Sequence, residues 1–102
     1  MEALDALLEE TLNAWVFSHR DALEARGVAV FLDGPHDPMG MDPVYLLRLD
    51  SARAEVEAVL FRGGTLLLAT LDKESLAVRQ SHVEAEKEAD VSSALDALAG
   101  DV

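Results

Sequence analysis

The sequence predicts one α+β domain: a long N-terminal helix, an antiparallel meander of four to five strands, and a short C-terminal helix. Three observations lead there. Apolar residues recur every three or four positions through residues 2–26, they alternate with polar ones through 44–62, and a Gly63-Gly64 pair separates two strand-like runs. A chain of 102 residues is close to the commonest domain size, and no linker, repeat or low-complexity segment divides it. Residues 1–102 are therefore read as a single unit, with the helices packed mainly on one face of the sheet.

The first helix is read over residues 2–26. Leu4, Leu8, Leu12, Trp15, His19 and Ala22 form its apolar stripe, which Leu7, Val16 and Leu23 widen. Glu2, Asp5, Glu9 and Glu10 crowd the first turns, where the helix dipole favours negative charge, and Gly27 is placed to stop the helix. VAVFL at 28–32 is short, apolar and β-branched, and reads as a strand.

The stretch FLDGPHDPMGMDP at 31–43 interrupts the pattern and holds all three prolines. It reads as a long breaker ahead of the meander, a recognition or flexible loop without chemistry of its own. VYLLRLD at 44–50 then puts Tyr45, Leu47 and Leu49 on one face, with Ser51-Ala52-Arg53 as a tight connection. AEVEAVLFR at 54–62 sets Val56, Ala58 and Leu60 against Glu55 and Glu57. Gly63-Gly64 suits a type I′ hairpin turn, which needs positive φ at both central residues. TLLLATL at 65–71 follows, then a turn at residues 72–75 and a last strand at 76–84. Asp90 is placed to cap a helix carrying Val91, Ala94, Leu95 and Leu98 on one side, which Gly100 would end.

Charge and composition narrow the function. Twenty acids face eight bases, for a formal net charge of -12. Such a field repels nucleic acid and anionic membranes and attracts basic proteins or cations. Glu9, Glu10, Glu84, Glu86 and Glu88 are the candidate steering charges, and the same acids would serve equally as a plain solvated surface. There is no cysteine, hence no disulfide framework or thiolate chemistry, which fits a reducing cytoplasm. The acidic N-terminus is unlike a secretory or transit peptide, and no apolar run reaches the roughly 18 residues that span a bilayer.

The catalytic inventory is thin. His19 falls on the apolar stripe beside Trp15, and His82 falls on the last strand in phase with Val78 and Gln80; both read as packing or sheet-face residues. His36 with Asp33, Asp37 and Asp42 has neither the acid spacing of a calcium loop nor the nitrogen and sulfur ligands of a zinc site. No phosphate-cradling glycine loop, nucleophile elbow or catalytic cysteine is present. These absences predict a protein that is not an enzyme and carries no cofactor or metal.

One feature bears on assembly. Val59, Leu60 and Phe61 stand across the turn from Leu66, Leu67 and Leu68, so both faces of this hairpin are apolar. Either the helices cover both faces or the second face meets another chain, and the pattern is read as a homodimer.

The segment LDSARAEVEAVLFRGGTLLLATLDKESLAVRQSHVE, within the order helix, meander, helix, resembles the TriTu immunity-protein family. Trp15 and Phe17 lie in the first helix, and Phe61 stands where that family has a strand tryptophan. Gly64 is in the turn, Leu71-Asp72 ends the next strand, and His82 falls in the last one. The resemblance spans about residues 12–98 and implies a small inhibitor that neutralises a toxin without catalysis. The expected function is thus a non-enzymatic acidic protein-binding module, with a basic protein as partner. A dimeric secretion-chaperone-like or adaptor protein is the alternative, and a small enzyme ranks below both.

Overall fold

The computed structural model describes residues 2–35 and 45–102. His36, Asp37 and Asp42, the remaining members of the ligand set weighed around Asp33, lie outside the described residues, as does most of the proline-rich stretch. The elements are α1 (Glu2–Ala25), β1 (Ala29–Asp33), β2 (Tyr45–Asp50), β3 (Ala54–Leu60), β4 (Thr65–Asp72), β5 (Val78–Glu84) and α2 (Glu88–Ala99). The strands form one antiparallel sheet in the order β1-β2-β3-β4-β5. This is the expected α+β meander, with β1 joined to it as the fifth strand.

Both helices lie on the same face. Leu8, Leu12, Trp15 and Val16 from α1 and Val91, Leu95 and Leu98 from α2 share one core with Leu47, Leu49, Val56, Leu60 and Leu66 from the strands. Alternation produces this directly. In β2 and β3 every second residue is buried, so Arg48, Glu55 and Glu57 fall on the opposite face from Leu47, Leu49 and Val56.

Helix ends show which local signals operate. At the end of α1 the N–H of Val28 donates to the Leu23 carbonyl (3.0 Å) and that of Gly27 to Glu24 (3.0 Å), with Gly27 at φ +83°. This is a Schellman stop, and its apolar pair, Leu23 and Val28, is buried. At α2 the expectation needs correction. Asp90 is the third residue of the helix and not its N-cap; its Oδ2 accepts from the N–H groups of Glu86 (2.9 Å) and Lys87 (3.2 Å). A carboxylate one turn in reaches back to these orphan donors, so α2 begins earlier than Asp90 itself suggests. Gly100 follows α2 in right-handed geometry (φ -68°), and the chain turns so that Val102 is buried.

The glycine turn differs too. Gly64 N–H donates to the Phe61 carbonyl (3.3 Å) and Phe61 N–H to Thr65 (2.8 Å), so the central residues are Arg62 and Gly63. Only the second of these has positive φ, which excludes type I′. Gly64, at φ +96°, instead brings its backbone against Ala85, whose N–H donates to the Gly64 carbonyl at 2.8 Å.

The β4–β5 turn is longer than residues 72–75. Asp72 N–H donates to the Ala77 carbonyl (2.9 Å), and Leu76 adopts φ 63°, so the strand starts at Val78 and not at Leu76. Asp72 Oδ1 accepts from the N–H groups of Glu74 (2.9 Å) and Ser75 (3.1 Å). The Ser75 and then the Glu74 amide hold its carboxyl below the ordinary value of 3.8. A carboxylate with a depressed folded pKa contributes stability above the unfolded pKa and loses it as pH falls through the folded one. Asp72→Asn is therefore expected to flatten the acid limb of the stability–pH curve, as read from urea midpoints between about pH 2 and pH 6.

Candidate functional site: the bare face of the sheet

With both helices on one side, the other side of the sheet has no layer over it among the described residues. Strand pairing arranges its side chains in cross-strand rows. One row runs Asp33, Leu46, Val59, Leu67, His82; the next runs Phe31, Arg48, Glu57, Ala69, Gln80; a third runs Ala29, Asp50, Glu55, Leu71, Val78. Phe31 is 53% exposed, Leu67 43% and Val78 60%, values that mark solvent-facing apolar side chains and not core ones. The expectation that the central hairpin is apolar on both faces holds at Val59 and Leu67, which pair directly on the bare side.

Charge on this face is organised around Arg48. Its Nε lies 3.1 Å from Glu55 Oε1 and 3.2 Å from Glu57 Oε1, joining β2 to β3. Half-exposed pairs of this kind contribute up to about 1 kcal/mol each. At one end Lys73 Nζ bonds Asp50 and, at 2.6 Å, the Ser51 carbonyl, which ties the β4–β5 turn to the β2–β3 turn. At the other end Thr65 Oγ1 donates to Glu84 at 2.9 Å. The face thus carries apolar side chains around a central Arg48–Glu55–Glu57 cluster, with Asp33 and Glu84 on its edge strands.

A second feature lies between the helices. Trp15 Nε1 donates to Asp96 Oδ1 (2.8 Å), and the Trp15 and His19 rings stack at 4.2 Å. His19 Nδ1 bonds the Trp15 carbonyl (2.8 Å), which can only accept, so Nδ1 carries a proton and Nε2 faces Asp96 at 3.9 Å. Sequence spacing around His19 did not point to this carboxylate, which comes from α2. A shallow groove of about 550 Å³ borders the cluster, with Glu10 and Glu88 on its walls. The chemistry is that of a tether. Nε2 is turned towards the Asp96 carboxylate, which also accepts from the buried indole. Asp96→Ala, which leaves that N–H unpaired, is expected to cost about 1–3 kcal/mol in urea unfolding, whereas Asp96→Asn keeps an acceptor and should cost less than half as much.

The remaining residues singled out in the sequence are spread over the molecule. His82 is exposed on the bare face, opposite Leu67. Glu9 and Glu10 belong to α1, Glu88 to α2 and Glu86 to the connection before it, whereas Glu84 stands on β5 at the border of the bare face. Of the other acids on that face, Glu55 and Glu57 were legible only as ordinary strand residues, and Asp33, weighed with His36 as a ligand, is the last residue of β1. Among the described residues, no group of three or more His, Asp or Glu side chains is placed to hold a metal, and no helix is long and apolar enough to cross a membrane. No family model matches the chain, and no curated protein or solved structure matches it.

Proposed function

We propose that this chain is a non-enzymatic protein-binding module that engages its partner through the bare face of the sheet. The observation that carries the reading is Phe31, Leu67 and Val78, apolar and about half-exposed on a face that neither helix covers. With five strands about 4.8 Å apart and about 20 Å long, such a face spans roughly 500 Å², the size of the centre of a standard interface, which takes about 800 Å² per partner. Its acids, Glu55 and Glu57 at the centre and Asp33 and Glu84 on the edge strands, outnumber its cations, so the complementary partner is a protein whose surface sets basic groups among apolar ones. The formal charge of -12 would speed the encounter from a distance, and apolar burial would hold the complex.

The TriTu resemblance gives this module a specific form, an immunity-type inhibitor whose basic partner is a toxin in the same cytoplasm. A dimeric chaperone or adaptor is the second reading, because the same apolar face suits a second copy of the chain. Salt separates them. Raising ionic strength weakens an acidic face bound to a basic partner, and it strengthens a dimer that must bring two chains of charge -12 together. Sedimentation of the chain alone, at low and high salt, tests the second reading. Capture from an extract of the cells that make the protein, followed by titration of the purified partner across the same salt range, tests the first.

A further inference from the structure

The outer edge of β5 has an alternation that its neighbours define. Ala85 N–H donates to the Gly64 carbonyl (2.8 Å) and Asp72 N–H to the Ala77 carbonyl (2.9 Å), one bond just beyond each end of the β4–β5 ladder. Both belong to the register that pairs Leu66 with Val83 and Leu68 with Ser81. In an antiparallel pair, hydrogen-bonded and non-bonded positions alternate. Arg79, Ser81 and Val83 therefore spend their backbone groups on β4, while Val78, Gln80, His82 and Glu84 turn their N–H and C=O groups outward.

The other edge is less open. Ser51 N–H donates to the Ala54 carbonyl (2.9 Å), and the same alternation carried through β2 leaves only Val30 and Leu32 of β1 facing outward. Pro35, which has no N–H, stands two residues beyond the end of β1. β5 is longer and contains no proline, lysine or bulge, the usual devices that blunt an edge.

Beside β5 the helical side offers a groove of about 590 Å³, walled by Leu68, Val83, Ala94 and Leu98. The ion pair between Arg79 and Asp101 (3.3 Å) crosses it near the start of the strand. An added strand would thus meet apolar surface on its groove side. On its other side it would lie beside Gln80, His82 and Glu84.

We propose that the β5 edge is a strand-addition site for an extended segment of a protein partner, with small apolar residues at alternate positions and basic residues between them. The inference rests on the protein-binding reading but uses a surface separate from Phe31 and Leu67. Outward-turned backbone groups fix the extended form, and the groove fixes the apolar positions. Glu84, Glu86, Asp72 and Glu74 along and beyond the strand favour the basic ones. A second copy is the poorer occupant. Two β5 strands paired with full overlap about Ser81 would set Arg79 against Val83 and Val78 against Glu84, so no opposite charges meet, and each chain brings a charge of -12.

The test is amide hydrogen exchange on the full ¹⁵N-labelled chain, with a synthetic nonapeptide of alternating valine and lysine as the probe. At peptide concentrations up to about 1 mM, the amides of Val78, Gln80, His82 and Glu84 should slow at least about tenfold. The lysines lie opposite these residues, so N-methylation of the lysine amides should abolish the effect and N-methylation of the valine amides should not. Unchanged exchange at the four amides would overturn the proposal, as would equal tolerance of both methylation patterns. Protection that appears without peptide and grows with protein concentration would overturn it in favour of a second copy. Perturbations confined to Phe31, Leu46 and Leu67 would overturn the edge site while leaving the bare-face reading standing.

Discussion

Replacing Gly64 with alanine is expected to cost the fold about 3 kcal/mol. Two effects combine. Gly64 holds φ +96°, where a residue with a Cβ is strained by roughly 1–2 kcal/mol. A Cβ built there would sit 2.5 Å from the Ala85 carbonyl oxygen, and that backbone must shift by an amount worth about 1–3 kcal/mol. The shift also strains the Ala85 N–H bond to Gly64, which closes the β3–β4 hairpin against the end of β5. Gly63 supplies the control. It has φ +87° but nothing within 4 Å of its Cβ position, so Gly63→Ala should cost about 1–2 kcal/mol, the backbone part alone. Urea midpoints of the two variants measure the difference; equal losses would show that the Ala85 contact contributes nothing.

The double substitution Phe31→Lys with Leu67→Lys is expected to weaken partner binding at least about 100-fold, or about 2.8 kcal/mol, while leaving the fold nearly as stable as before. Binding should fall for two reasons: two apolar anchors are lost, and two cations are placed against a basic partner. Stability should hold because both side chains are about half-exposed and stand on different strands, away from the helix-covered core. Equal thermal midpoints with unequal affinities would locate the effect in the interface.

Much of the fold was legible because its signals are local. The stripe of Leu8, Leu12 and Trp15 specifies α1, and the strict alternation of Val56, Ala58 and Leu60 with glutamates specifies β3 and its register. What stayed hidden depends on packing between elements. In TLLLATL three consecutive leucines make both faces apolar, so which of them faces the helices is decided by pairing: Leu66 with Leu60 inside, Leu67 with Val59 outside. The Trp15–Asp96 bond and the approach of His19 to Asp96 join residues at opposite ends of the chain, and they follow from α1 lying beside α2. The turn at Gly63-Gly64 was misread for a related reason. Two glycines allow several turns, and the contact with Ala85 selects the one adopted.

The central claim is that the bare face of the sheet is the surface on which this protein meets its partner. The most direct measurement is capture by the immobilised wild-type chain and by the Phe31→Lys, Leu67→Lys variant, side by side at low salt, with the retained proteins identified and the main one purified and titrated. A basic protein held by the wild type, released by salt and lost on the variant is the predicted result. Retention of the same protein by both chains at equal affinity, or no specific partner for either, would contradict it.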